Sequence, residues 1–411
     1  MKSRCLTFFL LPFYFLLFTS VLGLGWSPAW AGDLPEDATF TTRAITPFAI
    51  EGLTMDATGN FYTTGRQPDT TKKCPVWRIS PNGASRVSVG FIQNNPACNP
   101  SGIAFDSGDN LYIVDAASGG IVWTVTPDPA GCASDDSTDP LCAAIPNATA
   151  FATGVPGTNG LAFDQDGDLW TGDGTTGQGR VWEITGPGAN CAPPTPVNCE
   201  EVFRIQPMNN SVNFGGVVAN PGVGRANTTI PGTAQNLVAN GVAFDEDGHL
   251  FVADTARGAI WRVKFKDDGS LKSKTGCDET FTPNTLCLDN IFVAHPFLEG
   301  TDGIALDKDG NIWNSANERN AIVVVTEDRK VVEVFRNDPD ATTHLRNTGP
   351  LEFPASPFIS GKTLCTSNSD GGRRDNSPNT AGEIKPAGPD RGKISCMEPE
   401  LEERGLRLPV Q

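Results

Sequence analysis

The stretch NGVAFDEDGHLFVAD, residues 240–254, recurs along the chain with small changes, and this repetition decides the fold. The other copies are EGLTMDATGNFYTTG (51–65), SGIAFDSGDNLYIVD (101–115), NGLAFDQDGDLWTGD (159–173) and DGIALDKDGNIWNSA (302–316). Each copy combines a short apolar segment, a turn of the D-x-x-G type and a second apolar segment. This pattern is typical of a β-hairpin.

Two further strands are predicted after each hairpin. The third is centred on Trp77, Trp123, Trp182 and Trp261 in four copies and on Val323 in the fifth. A fourth apolar stretch, such as residues 150–152 or 290–293, leads to the next copy. Four antiparallel strands repeated about every 50–80 residues are typical of propeller blades, since solenoid repeats are shorter and more regular. The tryptophans alternate with polar residues and are predicted to lie in the core between blades.

A sixth copy is degenerate and consists of residues 353–359, 363–366 and 393–396. It lacks a fourth strand, and residues 38–45, before the first copy, can supply one. This pairing would close the ring and remove two exposed sheet edges. The sequence therefore predicts an all-β protein, a six-bladed β-propeller with four-stranded blades whose ring is closed by the N-terminal strand.

The N-terminus reads as a secretory signal peptide. Lys2 and Arg4 precede an uncharged apolar run at residues 6–24, and Ala29-Trp30-Ala31 has small residues at the positions that a signal peptidase reads. An uncleaved membrane anchor is the alternative, because the run nearly reaches spanning length. We expect residues 1–31 to be a signal peptide and residues 32–411 to be a single propeller domain, secreted or periplasmic and without a membrane partner after cleavage.

Charge and cysteine content agree with export. Cleavage after Ala31 would remove two positive charges and no acid, which changes the formal net charge from −17 to −19. Such a balance argues against binding nucleic acid or anionic lipid. Ten cysteines would remain, in neighbouring pairs without the C-x-x-C spacing of zinc or redox sites, and we predict structural disulfides. The pairs are Cys74 with Cys98, Cys132 with Cys142, Cys191 with Cys199, Cys277 with Cys287 and Cys365 with Cys396.

The candidate site follows from the residue that precedes each repeat glycine, because the first strand of every propeller blade lines the central channel. These residues are Glu51, Ser101, Asn159, Asn240 and Asp302, with Pro354 aligned in the sixth copy. Two acids and two amides at equivalent positions suggest an oxygen-ligand site suited to Ca²⁺, formed by Glu51, Asn159, Asn240 and Asp302. The alternative is that Asn and Asp before Gly only satisfy tight turns.

These E-G, N-G and D-G starts resemble the gluconolactonase/regucalcin (senescence marker protein) group of six-bladed propellers, over roughly residues 45–370. The resemblance implies a divalent metal in the channel, held by Glu51, by Asn159 or Asn240, and by Asp302. The presence of both asparagines is also similar to paraoxonases and strictosidine-synthase-like proteins. Ser101 stands where the lactonases often place a substrate-binding amide or base, and no histidine pair of the paraoxonase kind is found.

Other features are assigned to structure. The acidic turns beginning at Asp164, Asp245 and Asp307 echo EF-hand loops but lack the glutamate at loop position 12, so they are predicted to be hairpin turns. Asp115, Asp173 and Asp254 are predicted to bond turns, with channel-mouth polar groups as the alternative. His249 and His344 are predicted to be solvated, and His295 is either a loop residue or a proton-transfer group. The Gly- and Pro-rich insertions 205–238 and 368–392 are either covers or mobile loops.

The leading hypothesis is an exported, Ca²⁺-dependent hydrolase of a lactone or related ester, with Asp302 as the base and Ser101 in contact with the substrate. A lyase acting on a macrocyclic lactone is a variant of it. The alternative is a non-catalytic, NHL-type propeller that binds a ligand or partner protein, because propellers host many unrelated functions.

Overall fold

The computed structural model describes Leu34 and residues 38–93, 97–207, 237–337, 349–360, 363–369 and 391–398. The predicted signal peptide, most of the insertions 205–238 and 368–392, and His344 lie outside the described residues. Within the described residues, no helix is long and apolar enough to cross a membrane.

In the part of the chain that the structure describes, twenty-five strands form six sheets, and the predicted all-β, six-bladed propeller is confirmed. The strands are β1 (Thr39–Ile45), β2 (Thr54–Met55), β3 (Phe61–Thr64), β4 (Cys74–Ile79), β5 (Arg86–Ile92), β6 (Pro100–Phe105), β7 (Leu111–Asp115), β8 (Ile121–Val125), β9 (Thr149–Thr153), β10 (Thr158–Phe163), β11 (Leu169–Asp173), β12 (Arg180–Ile184), β13 (Ala189–Asn190), β14 (Cys199–Arg204), β15 (Val242–Phe244), β16 (Leu250–Asp254), β17 (Ala259–Val263), β18 (Ile291–Ala294), β19 (Thr301–Leu306), β20 (Ile312–Ala316), β21 (Ala321–Val325), β22 (Val331–Arg336), β23 (Pro354–Ser360), β24 (Thr363–Asn368) and β25 (Lys393–Glu398). Short 3-10 helices cover Ala117–Gly119, Pro140–Cys142, Leu288–Asn290, Pro296–Leu298 and Asn317–Arg319.

The blades follow the chain, and their first strands form the inner ring. Blades one to five begin with β2, β6, β10, β15 and β19, and blade six is ordered β23-β24-β25-β1. Each first strand contacts the first strand of the next blade, and β2 contacts β23 where the ring closes. The outer strand of blade six is β1, which pairs antiparallel with β25, so the predicted closure is confirmed. The two-residue β13, which adds to blade two parallel to β9, was not predicted.

The repeat phrase forms a hairpin because its aspartate bonds the turn. In blade three, Asp164 Oδ1 accepts the backbone N–H groups of Asp166 and Asp168 at 3.0 and 2.9 Å. Its Oδ2 accepts the indole N–H of Trp170 at 2.8 Å. The same turn bonds recur at Asp245 and Asp307, so the predicted assignment of these acidic sequences to hairpin turns is confirmed.

Apolar side chains from facing sheets fill the space between blades. Trp261 is fully buried in a cluster that joins blades three and four, and Val323 is fully buried between blades four and five. Trp77 and Trp182 are buried as well, whereas Trp123 is only partly buried against its cluster. The third-strand positions are therefore core positions, as predicted.

All five predicted disulfides are confirmed, with Cα–Cα separations between 4.0 and 6.6 Å. The bond between Cys365 and Cys396 joins β24 to β25 in the closing blade, across a sequence separation of 31 residues. Several disulfides in one domain fit an extracellular location.

The closing disulfide should contribute the largest single increment of stability among the five. The double variant Cys365→Ala/Cys396→Ala should lose about 3–4 kcal/mol of unfolding free energy, because the bond restricts a long loop in the unfolded chain. The matched control is Cys191→Ala/Cys199→Ala, whose separation of 8 residues implies a loss of about 2.5 kcal/mol. Denaturant unfolding measures both. An equal loss in the two variants, or a larger one in the control, would contradict the loop-length argument.

Candidate ion site at one end of the channel

Five of the predicted site residues come from successive blades and lie next to one another near the beginnings of the inner strands. Each repeat glycine lies against the backbone carbonyl of the residue that precedes the glycine of the next blade. A Cβ added to Gly160 would lie 2.5 Å from the Asn240 carbonyl oxygen, and one added to Gly241 would lie 2.4 Å from that of Asp302. Only glycine permits this approach. We call the residues that precede the repeat glycines, together with the equivalent residue of blade six, the first ring: Glu51, Ser101, Asn159, Asn240, Asp302 and Ala355.

The sixth member corrects the sequence alignment, which had placed Pro354 there. Gly303 packs against the carbonyl of Ala355 in the same way that Gly241 packs against Asp302. The strand register agrees, because Pro354 pairs with Asn368 as Thr301 pairs with Ala316. Ala355 has no side-chain oxygen, so blade six offers no side-chain ligand at this position.

A second ring of residues, which the sequence analysis missed, lies beside the first. Its members follow the second strand of each blade by one residue, or by two residues in blade one: Arg66, Ala116, Gly174, Thr255, Asn317 and Ser369. In three blades the second-ring side chain bonds the first-ring side chain of the same blade, always fifteen positions earlier. The second ring therefore controls the orientation of the predicted ligands.

In blade four, Thr255 fixes the amide of Asn240. The Thr255 hydroxyl donates to the carbonyl oxygen of Thr301 at 2.6 Å, so its oxygen can only accept from the neighbouring amide. Asn240 Nδ2 donates to it at 2.9 Å. This assignment leaves Asn240 Oδ1 as the other end of the amide, and that oxygen is buried without a hydrogen-bond partner among the described residues. A buried polar atom without a partner is costly, which points to a ligand.

In blade three the second-ring residue is Gly174, which packs closely beside this oxygen. A Cβ added to Gly174 would lie 2.9 Å from Asn240 Oδ1 and 2.6 Å from the Cβ of Asn159. The two predicted asparagine ligands, from neighbouring blades, therefore converge on Gly174. Asn159 and Asn240 are 7% and 1% exposed, so an ion bound by both would be largely shielded from water.

The two predicted carboxylate ligands also have partners from the second ring. Asn317 Nδ2 donates to Asp302 Oδ2 at 2.9 Å, and both residues are buried. In blade one, Arg66 Nη2 forms an ion pair with Glu51 Oε2. Asp302 is thus oriented by a neutral donor, whereas Glu51 is held by a cation.

Ser101 is buried at 3% exposure, and its hydroxyl lies 3.5 Å from the backbone oxygen of Thr158 in the next blade. It belongs to the first ring but has no side-chain partner in the second ring, because Ala116 follows the second strand of blade two. Ser101 is therefore a member of the first ring. Its predicted contact with the substrate stays a prediction.

As predicted, turns next to the second ring are held by hydrogen bonds to aspartate side chains, namely those of Asp115, Asp173 and Asp254. Asp254 Oδ1 accepts the backbone N–H of Arg257 at 3.1 Å, and its Oδ2 pairs with the Arg257 guanidinium at 2.7 Å. Asp173 pairs in the same way with Arg180 at 2.9 Å. Burial raises the pKa of both Asp115 and Asp173, while their hydrogen bonds act in the opposite direction.

Among the described residues, two acidic clusters lie at the opposite end of the inner strands, in or beside the D-x-x-G turns. One comprises Asp245, Asp247 and His249, and it borders a cavity of about 570 Å³ between blades four and five. The other comprises Asp164, Asp168 and Glu183. Burial and the negative charges of Asp168 and Asp164 raise the pKa of Glu183 to about 7. Either cluster has the acidic groups that a metal ion requires.

Two histidines lie among the described residues. His249 Nδ1 lies 2.9 Å from Asp245 Oδ2 in the turn of blade four, which agrees with its predicted place in a hairpin. His295 Nδ1 accepts the backbone N–H of Phe297 at 3.1 Å. Burial, and to a lesser extent the charge of Arg319, lowers the pKa of His295. This capping role favours the loop interpretation of His295.

Part of the chain, including two of the predicted ligands, matches a known protein family. The family model described as SMP-30/Gluconolactonase/LRE-like region matches residues 210–345. The predicted resemblance is confirmed. The match covers about a third of the chain, and it contains Asn240 and Asp302 whereas Glu51 and Asn159 precede it. No curated protein sequence matches the chain.

Solved structures show the same fold at low sequence identity. A PQQ-bound aldose sugar dehydrogenase from Streptomyces coelicolor is 15% identical, with a TM-score of 0.52 over 89% of this chain and 99% of that chain. A luciferin-regenerating enzyme is 14% identical, with a TM-score of 0.52 over 91% and 98%. Regucalcin from Agrobacterium tumefaciens, a calcium-binding protein, is 14% identical, with a TM-score of 0.48 over 91% and 97%. The first two similarities establish a shared fold and leave activity open.

Proposed function

We propose that the protein is an exported, Ca²⁺-dependent hydrolase of a lactone or related ester, with one ion at the first ring. Glu51, Asn159, Asn240 and Asp302 would hold the ion through four oxygens, two of them charged. The partnerless Asn240 Oδ1, on the side of Gly174 where the Asn159 side chain also lies, is the observation that carries the proposal. Carboxylate and amide oxygens are the ligands that Ca²⁺ prefers, and four of them leave coordination positions for water and substrate.

The reaction requires a polarised carbonyl, a nucleophile and a base. The bound ion would polarise the carbonyl oxygen of the ester and lower the pKa of a neighbouring water. Asp302 would take a proton from the attacking water as its oxygen bonds to the carbonyl carbon. The ring C–O bond then breaks, and Asp302 returns the proton to the departing alkoxide, which yields a hydroxy acid. Asn317 keeps the Asp302 carboxylate oriented for this transfer, and Ser101 would contact the substrate.

A side chain added at Gly174 should weaken ion binding, because it would displace the two asparagine side chains. Gly174→Ala would place a methyl group 2.9 Å from Asn240 Oδ1, so the amide oxygen or the ion must move. We expect Ca²⁺ affinity to fall by about tenfold or more, since site geometry and rigidity tune calcium binding. Calorimetric titration with Ca²⁺ measures the change, and Gly186→Ala is a matched control because its added Cβ would meet only one atom, at 3.7 Å. Unchanged affinity in Gly174→Ala would place the ion elsewhere.

The activity is tested with a panel of lactones and aryl esters, before and after removal of divalent ions by a chelator. The proposal predicts hydrolysis that is lost on chelation and restored by added Ca²⁺. Hydrolysis that survives complete removal of the ion would contradict the ion's role. A protein that retains the ion but hydrolyses nothing in the panel would favour the non-catalytic binding propeller.

A further inference from the structure

We infer that Arg66 is a built-in competitor for the ion: its guanidinium occupies the Glu51 carboxylate until a divalent cation displaces it, and it thereby sets the ion affinity of the channel mouth. The inference rests on the proposed function, because it concerns the same ion site. It adds a regulatory residue that the first-ring pattern does not contain.

Arg66 differs in charge from its counterparts in the second ring. Thr255 and Asn317 are neutral, so they can keep their bonds to Asn240 and Asp302 when a cation arrives. Arg66 carries a full positive charge at the equivalent position and contacts a predicted ligand directly. Two cations at one carboxylate repel each other, so the guanidinium and the ion compete for Glu51.

The pair is protected enough for this competition to matter. The side chains of Arg66 and Glu51 are 28% and 12% exposed. The pair is therefore less accessible to solvent than a surface ion pair, and its electrostatic attraction is less screened. The Arg66 backbone is also fixed beside Glu51. Its N–H donates to the carbonyl oxygen of Ala49 at 2.9 Å, and the preceding Gly65 packs against the Trp77 ring.

A second carboxylate, Asp115 from blade two, lies within range of the Arg66 charge. Burial raises the pKa of Asp115, and the charge of Arg66 acts in the opposite direction. The equivalent aspartates of blades three and four, Asp173 and Asp254, each pair with an arginine of their own blade. Among the described residues, Asp115 forms no such ion pair. We therefore expect the displaced Arg66 guanidinium to move toward the Asp115 carboxylate.

The test is a calorimetric measurement of Ca²⁺ affinity, which needs no substrate. Arg66→Met should tighten binding on the order of tenfold, because it removes the competing charge-assisted bond. Arg43→Met is the matched control, since Arg43 pairs with Glu398 at the outer edge of blade six, and its affinity should equal that of the parent. In the Glu51→Gln background, where the carboxylate is absent, Arg66→Met should change the affinity by no more than about twofold.

The outcomes separate this inference from the proposed function. If the parent binds Ca²⁺ and Arg66→Met binds it no more tightly, the competition is wrong while the ion site stands. Equal tightening with and without Glu51 would also overturn it, because the effect would then not pass through that carboxylate. If the parent binds no divalent ion, the proposed function fails and the competition fails with it.

Discussion

Asp302→Asn should reduce turnover of the best lactone or ester by roughly 10²–10⁴, the usual contribution of a general base. The amide retains an oxygen that can bind the ion and accept the bond from Asn317, but it cannot take the proton of the attacking water. Loss of one charge should also weaken ion binding. Turnover is therefore measured at a Ca²⁺ concentration that saturates each variant, which separates the missing base from the missing ion.

The matched control for this variant is Asp267→Asn, the same chemical change at an exposed loop position. It should leave both turnover and Ca²⁺ affinity unchanged. Parental turnover in Asp302→Asn at equal ion occupancy would show that another group accepts the proton.

Glu51→Gln should weaken Ca²⁺ binding on the order of a hundredfold, because ligand charge tunes calcium affinity. Activity should return in part when Ca²⁺ is added in excess, since Glu51 holds the ion and takes no part in proton transfer. Titration of activity against Ca²⁺ concentration measures both effects.

Glu398→Gln is the control for Glu51→Gln, since Glu398 is likewise paired with an arginine, Arg43, but on the outer strands of blade six. Its calcium dependence should match that of the parent. If Glu51→Gln binds Ca²⁺ as tightly as the parent, Glu51 is not a ligand, and its pairing with Arg66 is only structural.

The fold could be predicted because local and global signals agree. The aspartate that bonds each turn also fixes the hairpin register, so five copies of one phrase specify five blades. The sixth blade was assigned from its missing outer strand, and β1 fills that place. Its inner strand was aligned one residue early because blade six has no repeat glycine. Ala355 takes the first-ring place because Pro354 pairs with Asn368, and this strand register is not visible in the sequence.

Of the candidate site, the sequence indicates only the first ring. First-ring residues of blades one to five share a following glycine, whereas Arg66, Thr255 and Asn317 share no residue type and follow strands of different sequence. Their common feature is a constant offset of fifteen residues from Glu51, Asn240 and Asp302, which is a signal that the sequence does contain. The orientation of the Asn240 amide could not be predicted, because it depends on a hydrogen bond from Thr255 to the backbone of the next blade.

The most direct test of the ion site is a crystal structure of the calcium-loaded protein, with the ion located by its anomalous scattering. The account predicts one Ca²⁺ about 2.3–2.6 Å from an oxygen of each of Glu51, Asn159, Asn240 and Asp302, with the Arg66 guanidinium no longer on Glu51. An ion found only at the opposite end, on Asp245 and His249, or no ion at the first ring at saturating Ca²⁺, would contradict it.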